Sequence, residues 1–412
     1  MTPRPAKYLY LSCALGAALA ACSTNGGSEP TDGSVQTGMG GVSGTAGVTG
    51  GGGATVAGIG GGGGNRGLGG APAGNVGGRT GAGGVAGGAG APGTAGAAGM
   101  GDPTVLVGWA AANCTVGAVT TTTGGGSLAP TVVTTMSALN SAAAGTAAKV
   151  IQFSGNLSGS LTVGSNKTII GTAGATITGH VEVDRSVNVI LQNFTVVGLN
   201  CSDVPANGDC QDGADGVTVN NSSHHIWIDH LDVSDGSDGN LDVTNASDCI
   251  TISWSKFHYS ATRVAGYTGE VHHFSNLVGA DDAATGDTGK LRITWHHNWW
   301  ADHVVERQPR VRFGQNHIFN NLWTSTGNNY CVAAAVNSNV FTENNAFINV
   351  KDAIDTTNYS NAATIAFSMG NIYTGTAISA NKGTGVFTPP YPYTADPAAT
   401  VQAAVMAGAG PH

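Results

Sequence analysis

The sequence predicts an all-β fold, a parallel β-helix over residues 104–412, and three features predict it. Short β-branched runs follow one another, and few segments carry a helical period. Stacked in register, NVILQNFTV, HIWIDHLDV, CITISWSKF, VHHFSNLVG, RITWHHNWW, NHIFNNLWT, VFTENNAFI and FSMGNIYTG put Asn193, His230, Lys256, Asn276, Asn298, Asn321, Asn345 and Asn371 in one column. After a longer first gap the column recurs at spacings of 26, 20, 22, 23, 24 and 26 residues, too long for a hairpin and suited to one coil of a solenoid. An asparagine amide both donates and accepts, so stacked copies can form a ladder from coil to coil.

The segments before this region read differently. Arg4 and Lys7 precede an apolar run from about Leu9 to Ala21, too short for a membrane span and typical of an export signal. Leu19-Ala20-Ala21-Cys22 has the form of a bacterial lipobox, which makes residues 1–22 a lipoprotein signal and Cys22 the expected lipidated residue. Residues 23–103 are dominated by Gly, Ala, Thr and Ser with no strict third-residue repeat, which excludes collagen. Such a stretch buries too little apolar surface to offset chain entropy, so a disordered, glycine-rich linker is expected.

A solenoid needs its ends covered. TTMSALNSAAA, Thr134–Ala144, starts with polar residues and puts Met136 and Leu139 on one face, so it is the candidate capping helix. Pro397–Ala407 is a second short helix candidate. Beyond Cys13 and Cys22 there are five cysteines, Cys114, Cys201, Cys210, Cys249 and Cys331. Cys201 and Cys210 flank a short loop and are the expected disulfide; at least one of the five is left free. No CxxC metal spacing occurs.

Charge narrows the function. The net charge is −9, and nucleic acid is excluded as a partner because phosphate binding needs a basic face. Ten of the 25 acidic residues lie between Asp203 and Asp248. There Asp215, Asp238 and Asp242 recur in DGADGVTV and DGSDGNLDV; Asp238 and Asp242 share one face of an extended segment while Leu241 and Val243 turn to the core. Carboxylates gathered on one face repel unless a hard cation such as calcium sits among them, although a solvated face with Asx-turns has the same composition. Three of only nine arginines, Arg307, Arg310 and Arg312, fall in RQPRVR. With Val311 and Phe313 inward, Arg310 and Arg312 turn outward together, and Pro309 breaks the strand so that Arg307 can swing to the same face. The paired histidines, His224–His225, His272–His273 and His296–His297, read as stacked coil residues, since no HExxH appears.

GWA, TGGGSL, SNKTIIG, HHIWIDH, SDGNLDV, GKLRITWHHN and RQPRVRFG occur in the order and with the character found in the pectate lyase family, and the resemblance runs from Val107 through PPYPYTADP and AGAG to the end. It implies a right-handed parallel β-helix that cleaves polygalacturonate by β-elimination with calcium as cofactor. By position, Asp215, Asp238 and Asp242 match the family's calcium ligands. Arg307 matches the arginine that acts as base, and Arg312 the second catalytic arginine, which binds substrate; Arg310, on the same face, is a further substrate contact. One departure stands out: the family's lysine after the SWSKFH strand is missing from HYSATRVAG, and Arg263 is the candidate replacement.

The resemblance implies an exported monomer, and the lipobox a lipid anchor to the cell envelope as its sole tie to a membrane; Ser23 after Cys22 favours the outer membrane or cell surface. The rival readings are a pectin lyase, which lacks the calcium carboxylates, and a non-catalytic pectin-binding surface protein. A hydrolase would need an acid–base carboxylate pair and other motifs.

Overall fold

The computed structural model describes residues 105–198, 215–260 and 272–412. Cys22, the glycine-rich stretch, Cys201, Cys210 and Arg263 lie outside these residues. The strands form a right-handed parallel β-helix, as the column spacing and the resemblance led us to expect. Among the described residues one sheet holds eight short strands, Leu161–Thr162, Val181–Asp184, Val217–Asn220, Leu241–Val243, Leu277–Val278, Arg310–Val311, Val332–Ala334 and Ile354–Asp355. The other holds seventeen, because most coils contribute two successive strands to it, as Ile293–His296 and Trp299–Trp300 do. Each strand pairs in parallel with its equivalent one coil on.

The interior is apolar. Val217, Leu241, Val243, Val278 and Val311 are fully buried behind the eight-stranded sheet. Phe257, Trp300, Trp323, Phe347 and Tyr373 stack along the axis at centroid distances of 5.6, 4.8, 4.3 and 5.3 Å. Between the paired strands of each coil the chain turns through a residue with positive φ, successively Asn193, His230, Trp254, His297, Asn320, Asn344 and Gly370. Asparagine and glycine tolerate that conformation best.

The asparagine ladder is present, but half of the predicted column is misplaced. Asn298, Asn321, Asn345 and Asn371 form it: each of the first three donates its backbone N–H to the next side-chain oxygen at 2.8–2.9 Å, and its amide N–H to the same oxygen at 2.9–3.1 Å. Upstream the same column continues through Ser255, whose N–H donates to Asn298 Oδ1 at 3.0 Å. Asn193 and His230 belong to the turn column one position earlier, and Lys256 to the strand position one later. Asn276 lies beside the other sheet and donates to the Leu241 carbonyl. Coils of unequal length let a stacking of sequence segments slip by one residue.

Helix α1, Met136–Ala143, covers the N-terminal end, with Leu139 and Ala143 buried in the main core. Thr135 caps it, its hydroxyl accepting from the Ala138 N–H at 3.2 Å. Helix α2, Ala398–Gly408, packs Val401 and Val405 on Leu322 and Ala346. The residues around α2 form a strap across the turn column. The Asp396 carbonyl accepts from Asn344 and Asn320, its carboxylate sits 3.1 Å from His297 Nε2, Gly410 N–H donates to the Trp254 carbonyl, and His412 exchanges hydrogen bonds with Asn193. Cys114 forms a disulfide with Cys249 across 135 residues, tying the N-terminal segment to the strand Asp248–Ser253; that pairing was not apparent from cysteine spacing. Cys331 is free and buried.

Candidate active site

The outer face of the eight-stranded sheet carries the acidic and basic groups. Strand register puts Glu182, Thr218, Asp242, Leu277, Arg310, Ala333 and Asp355 in one outward row. Asp242 and Arg310 are therefore two coils apart, about 10 Å at the backbone from the usual strand spacing. Leu241 and Val243 face inward as the alternation requires, while Asp238 lies in the bend before the strand rather than on it.

Asp215 and Asp242 converge. A Cβ placed on Gly239 would sit 2.9 Å from Asp215 Oδ1 and 3.0 Å from Asp242 Oδ1, so only glycine leaves that space open. Asp215 Oδ2 accepts from the Thr218 hydroxyl at 2.9 Å, whereas its buried Oδ1 has no hydrogen-bond partner among the described residues. Asp242 Oδ1 accepts from the Leu277 N–H at 2.8 Å. Burial, then the charge of Asp238, pushes Asp215 up to about 7. Burial and then Asp215 push Asp242 well above the carboxylate range, with Arg307 pulling both back. The arrangement favours a cation: it supplies oxygen donors only, one of them orphaned, and needs positive charge to ionise fully.

Asp238 stands at the lip, its side chain 58% exposed, with His272 Nε2 3.2 Å from Oδ1. The three aspartates do not close into a group whose oxygens all lie within 4.8 Å of one another. Among the described residues one trio does, Cys114, Asp248 and Cys249, but its sulfurs form the disulfide and Asp248 holds Arg292 in a bidentate pair.

The three arginines take different environments. Arg307 is buried at φ 55°, just before the cis Gln308–Pro309 peptide, and its guanidinium carbon lies 4.7 Å from the centre of the Phe274 ring. Its charge acts on both Asp215 and Asp242. Arg310 lies half-buried over Tyr359 at 4.0 Å. Arg312 is buried, donating from Nε to Asp282 Oδ1 at 2.6 Å and from Nη1 to the Gly279 carbonyl at 2.9 Å. Geometry thus brings Arg307 to the carboxylates. Phe274, Asp282 and Tyr359 went unmarked in the sequence, and His272 was read there only as a paired coil residue, because they act through contacts between coils, which spacing does not report.

The family model described as pectate lyase matches residues 79–411. A pectate lyase of Bacillus subtilis is 30% identical over 287 residues, 60% of this chain and 64% of that protein. A probable pectate lyase B of Aspergillus flavus is 34% identical over 234 residues, 53% of this chain and 63% of that protein. The chain thus spans just under two thirds of the length of these relatives. Among solved structures, a pectate lyase bound to hexasaccharide superposes with a TM-score of 0.58 at 22% identity over 74% of this chain and 96% of that one, a likeness of fold. A match over so much of the chain, on a β-helix that gathers three aspartates and an arginine at one sheet face, establishes that the protein belongs to the pectate lyase family.

Proposed function

We propose that this chain is a pectate lyase, cleaving α-1,4-linked polygalacturonate by β-elimination to unsaturated oligogalacturonides, with calcium as cofactor. The observation that carries the reading is the space beside Gly239, where two carboxylate oxygens from different coils converge next to Arg307. Asp215 and Asp242 would hold the ion from below and Asp238 from the lip. Bound there, calcium would neutralise a substrate carboxylate and make the adjacent C-5 proton more acidic.

Arg307 takes that proton. An arginine is ordinarily protonated, so activity should rise toward alkaline pH. The Phe274 ring supports its guanidinium from within the protein. Arg310 and Arg312 supply positive charge to the uronate chain, Arg312 once its pair with the exposed Asp282 is exchanged for substrate. Arg263 stands in for the family's lysine. The C-5–H and C-4–O bonds break, C-4 and C-5 become doubly bonded, and the leaving oxygen takes a proton from solvent.

Retention of Asp215, Asp238 and Asp242 favours this over a pectin lyase or a non-catalytic pectin-binding protein. Polygalacturonate should be consumed and fully methyl-esterified pectin spared; Gly239→Ala, which fills the cation space, should raise the calcium needed by at least about ten-fold. Equal turnover of both polymers, or an unchanged calcium requirement, would defeat the assignment. The lipobox supports export and an anchor to the cell envelope at Cys22, with residues 23–103 as the tether of a monomer, the state the family resemblance implies. Cys22→Ser should move the protein from membranes to the soluble fraction; unaltered fractionation would end that reading.

A further inference from the structure

We propose that His180 is a positioning residue of the cation site: its imidazole holds the main chain of Asp215 and so aims that carboxylate at the space beside Gly239. The proposal rests on the reading of that space as a calcium site, and its test keeps calcium binding apart from catalysis.

The two carboxylates that meet at this space are held differently. Asp242 lies inside the strand Leu241–Val243, in register with Thr218, and its Oδ1 accepts from the Leu277 N–H. Asp215 lies two residues before the strand Val217–Asn220, whose register with Val181–Asp184 begins at the pair Val181 and Val217. The strand ladder stops short of Asp215, so its main chain needs another partner.

That partner comes from the preceding coil. Val181 N–H donates to the Gly216 carbonyl at 2.9 Å, and the neighbouring His180 reaches the Asp215 carbonyl through Nδ1 at 2.7 Å. Two consecutive residues thus grip two consecutive carbonyls, one by its main chain and one by its side chain. A carbonyl oxygen can only accept, so Nδ1 carries the hydrogen. Among the described residues no backbone N–H donates to the Asp215 carbonyl, and the imidazole stands where a ladder donor would. Gly216 N–H donates in turn to the carbonyl of Gly239 at 2.9 Å, tying the peptide after Asp215 to the glycine that leaves the space open. On this fixed main chain the Thr218 hydroxyl holds Oδ2 at 2.9 Å, and Oδ1 is left beside the space. Calcium prefers oxygen donors, so the histidine acts through Asp215 rather than on the metal. Groups that orient metal-binding side chains from behind are typically worth about 10-fold to 100-fold in affinity.

Two substitutions isolate the N–H. His180→Phe keeps a ring and loses the donor; His180→Asn loses the ring and keeps a donor nitrogen on Cγ, where Nδ1 stood. Calcium affinity is read by calorimetry on the full chain without substrate, and kcat on polygalacturonate while calcium is titrated. His180→Phe should weaken calcium binding about 10-fold or more and raise the calcium needed for half-maximal rate by the same factor, with kcat recovered in excess calcium. His180→Asn should bind calcium within a few-fold of wild type, a rescue that a merely space-filling ring would not show. Equal thermal midpoints exclude a loss of fold, and His180→Ala replaces the first variant should it fail to fold. Wild-type calcium affinity in His180→Phe, an equal loss in His180→Asn, or a wild type that binds no calcium would overturn the proposal. A wild type that binds calcium but releases no unsaturated product would refute the lyase reading and leave the calorimetric comparison to decide the role of His180.

Discussion

Arg307 owes its place to three local facts: positive φ, the proline two residues on, and an aromatic ring under its guanidinium. The motif RQPRVRFG marks the residue in the sequence, whereas its ring neighbour Phe274 comes from another coil and is invisible to spacing. Lysine there keeps the charge but loses the planar fork and its reach. Arg307→Lys should therefore hold polygalacturonate nearly as well and turn it over about 100-fold to 10,000-fold more slowly, the usual cost of losing a general base. Arg310→Lys, two coils from Asp242, should lose much less; comparable losses in both variants would remove Arg307 from its special role.

The carboxylates give a pH signature of their own. Asp215 is pushed up to about 7, so the folded metal-free protein keeps a proton that the unfolded chain gives up near pH 4. That contribution to stability is complete below about pH 4 and is lost as pH rises through about 7. Calcium requires the ionised form, so the rise in melting temperature it produces should grow as pH climbs from 5 to about 8. A calcium shift independent of pH, measured by differential scanning fluorimetry, would contradict this.

At the scale of elements, the asparagine ladder shows where sequence pattern succeeds and slips. Asn298, Asn321, Asn345 and Asn371 were legible because nearly equal coils keep them in step, at intervals of 23, 24 and 26 residues. Asn193 and His230 slipped by one because in later coils, at Asn320–Asn321 and Asn344–Asn345, the positive-φ turn residue and its ladder neighbour are adjacent asparagines, and Lys256 slipped because it follows the ladder residue Ser255. Asn321 is fully buried; its Oδ1 accepts from Asn298 twice, and its Nδ2 donates to the Trp295 and Phe319 carbonyls and to Asn345. Asn321→Ala would strand several buried donors and acceptors, a loss of about 3 kcal/mol or more. Asn371→Ala, at the less buried end, should cost about 1 kcal/mol. Denaturant melts giving equal losses would argue against a cooperative ladder.

Across the whole molecule, the solenoid is stapled along its outside as well as filled within. The disulfide Cys114–Cys249 holds the N-terminal segment, and the strap from Asp396 to His412 runs over the turn column from Asn344 back to Asn193. Capping helix α1 could be read from its polar start and apolar face; the strap could not, because its partners are the very asparagines and histidines that read as coil repeats. His297 faces Asp396, His296 neighbours His297, His317 and His230, and His317 bridges Glu343 and Tyr391. Burial pulls all three, His296, His297 and His317, below the ordinary histidine range. The unfolded chain takes those protons near pH 6.5 and the folded chain only lower, so their contribution is full above about pH 6.5 and is lost as pH falls. Hydrogen exchange at pH 5 should show residues 396–412 opening more than at pH 8, and equal protection at both would refute it.

The most direct test of the whole account is the ultraviolet absorbance of unsaturated products when the full chain acts on polygalacturonate at alkaline pH. Absorbance should climb steadily with added calcium, stop when a chelator is added and resume when calcium is restored in excess. Chain shortening without that absorbance, or absorbance that persists undiminished in chelator, would contradict calcium-assisted β-elimination.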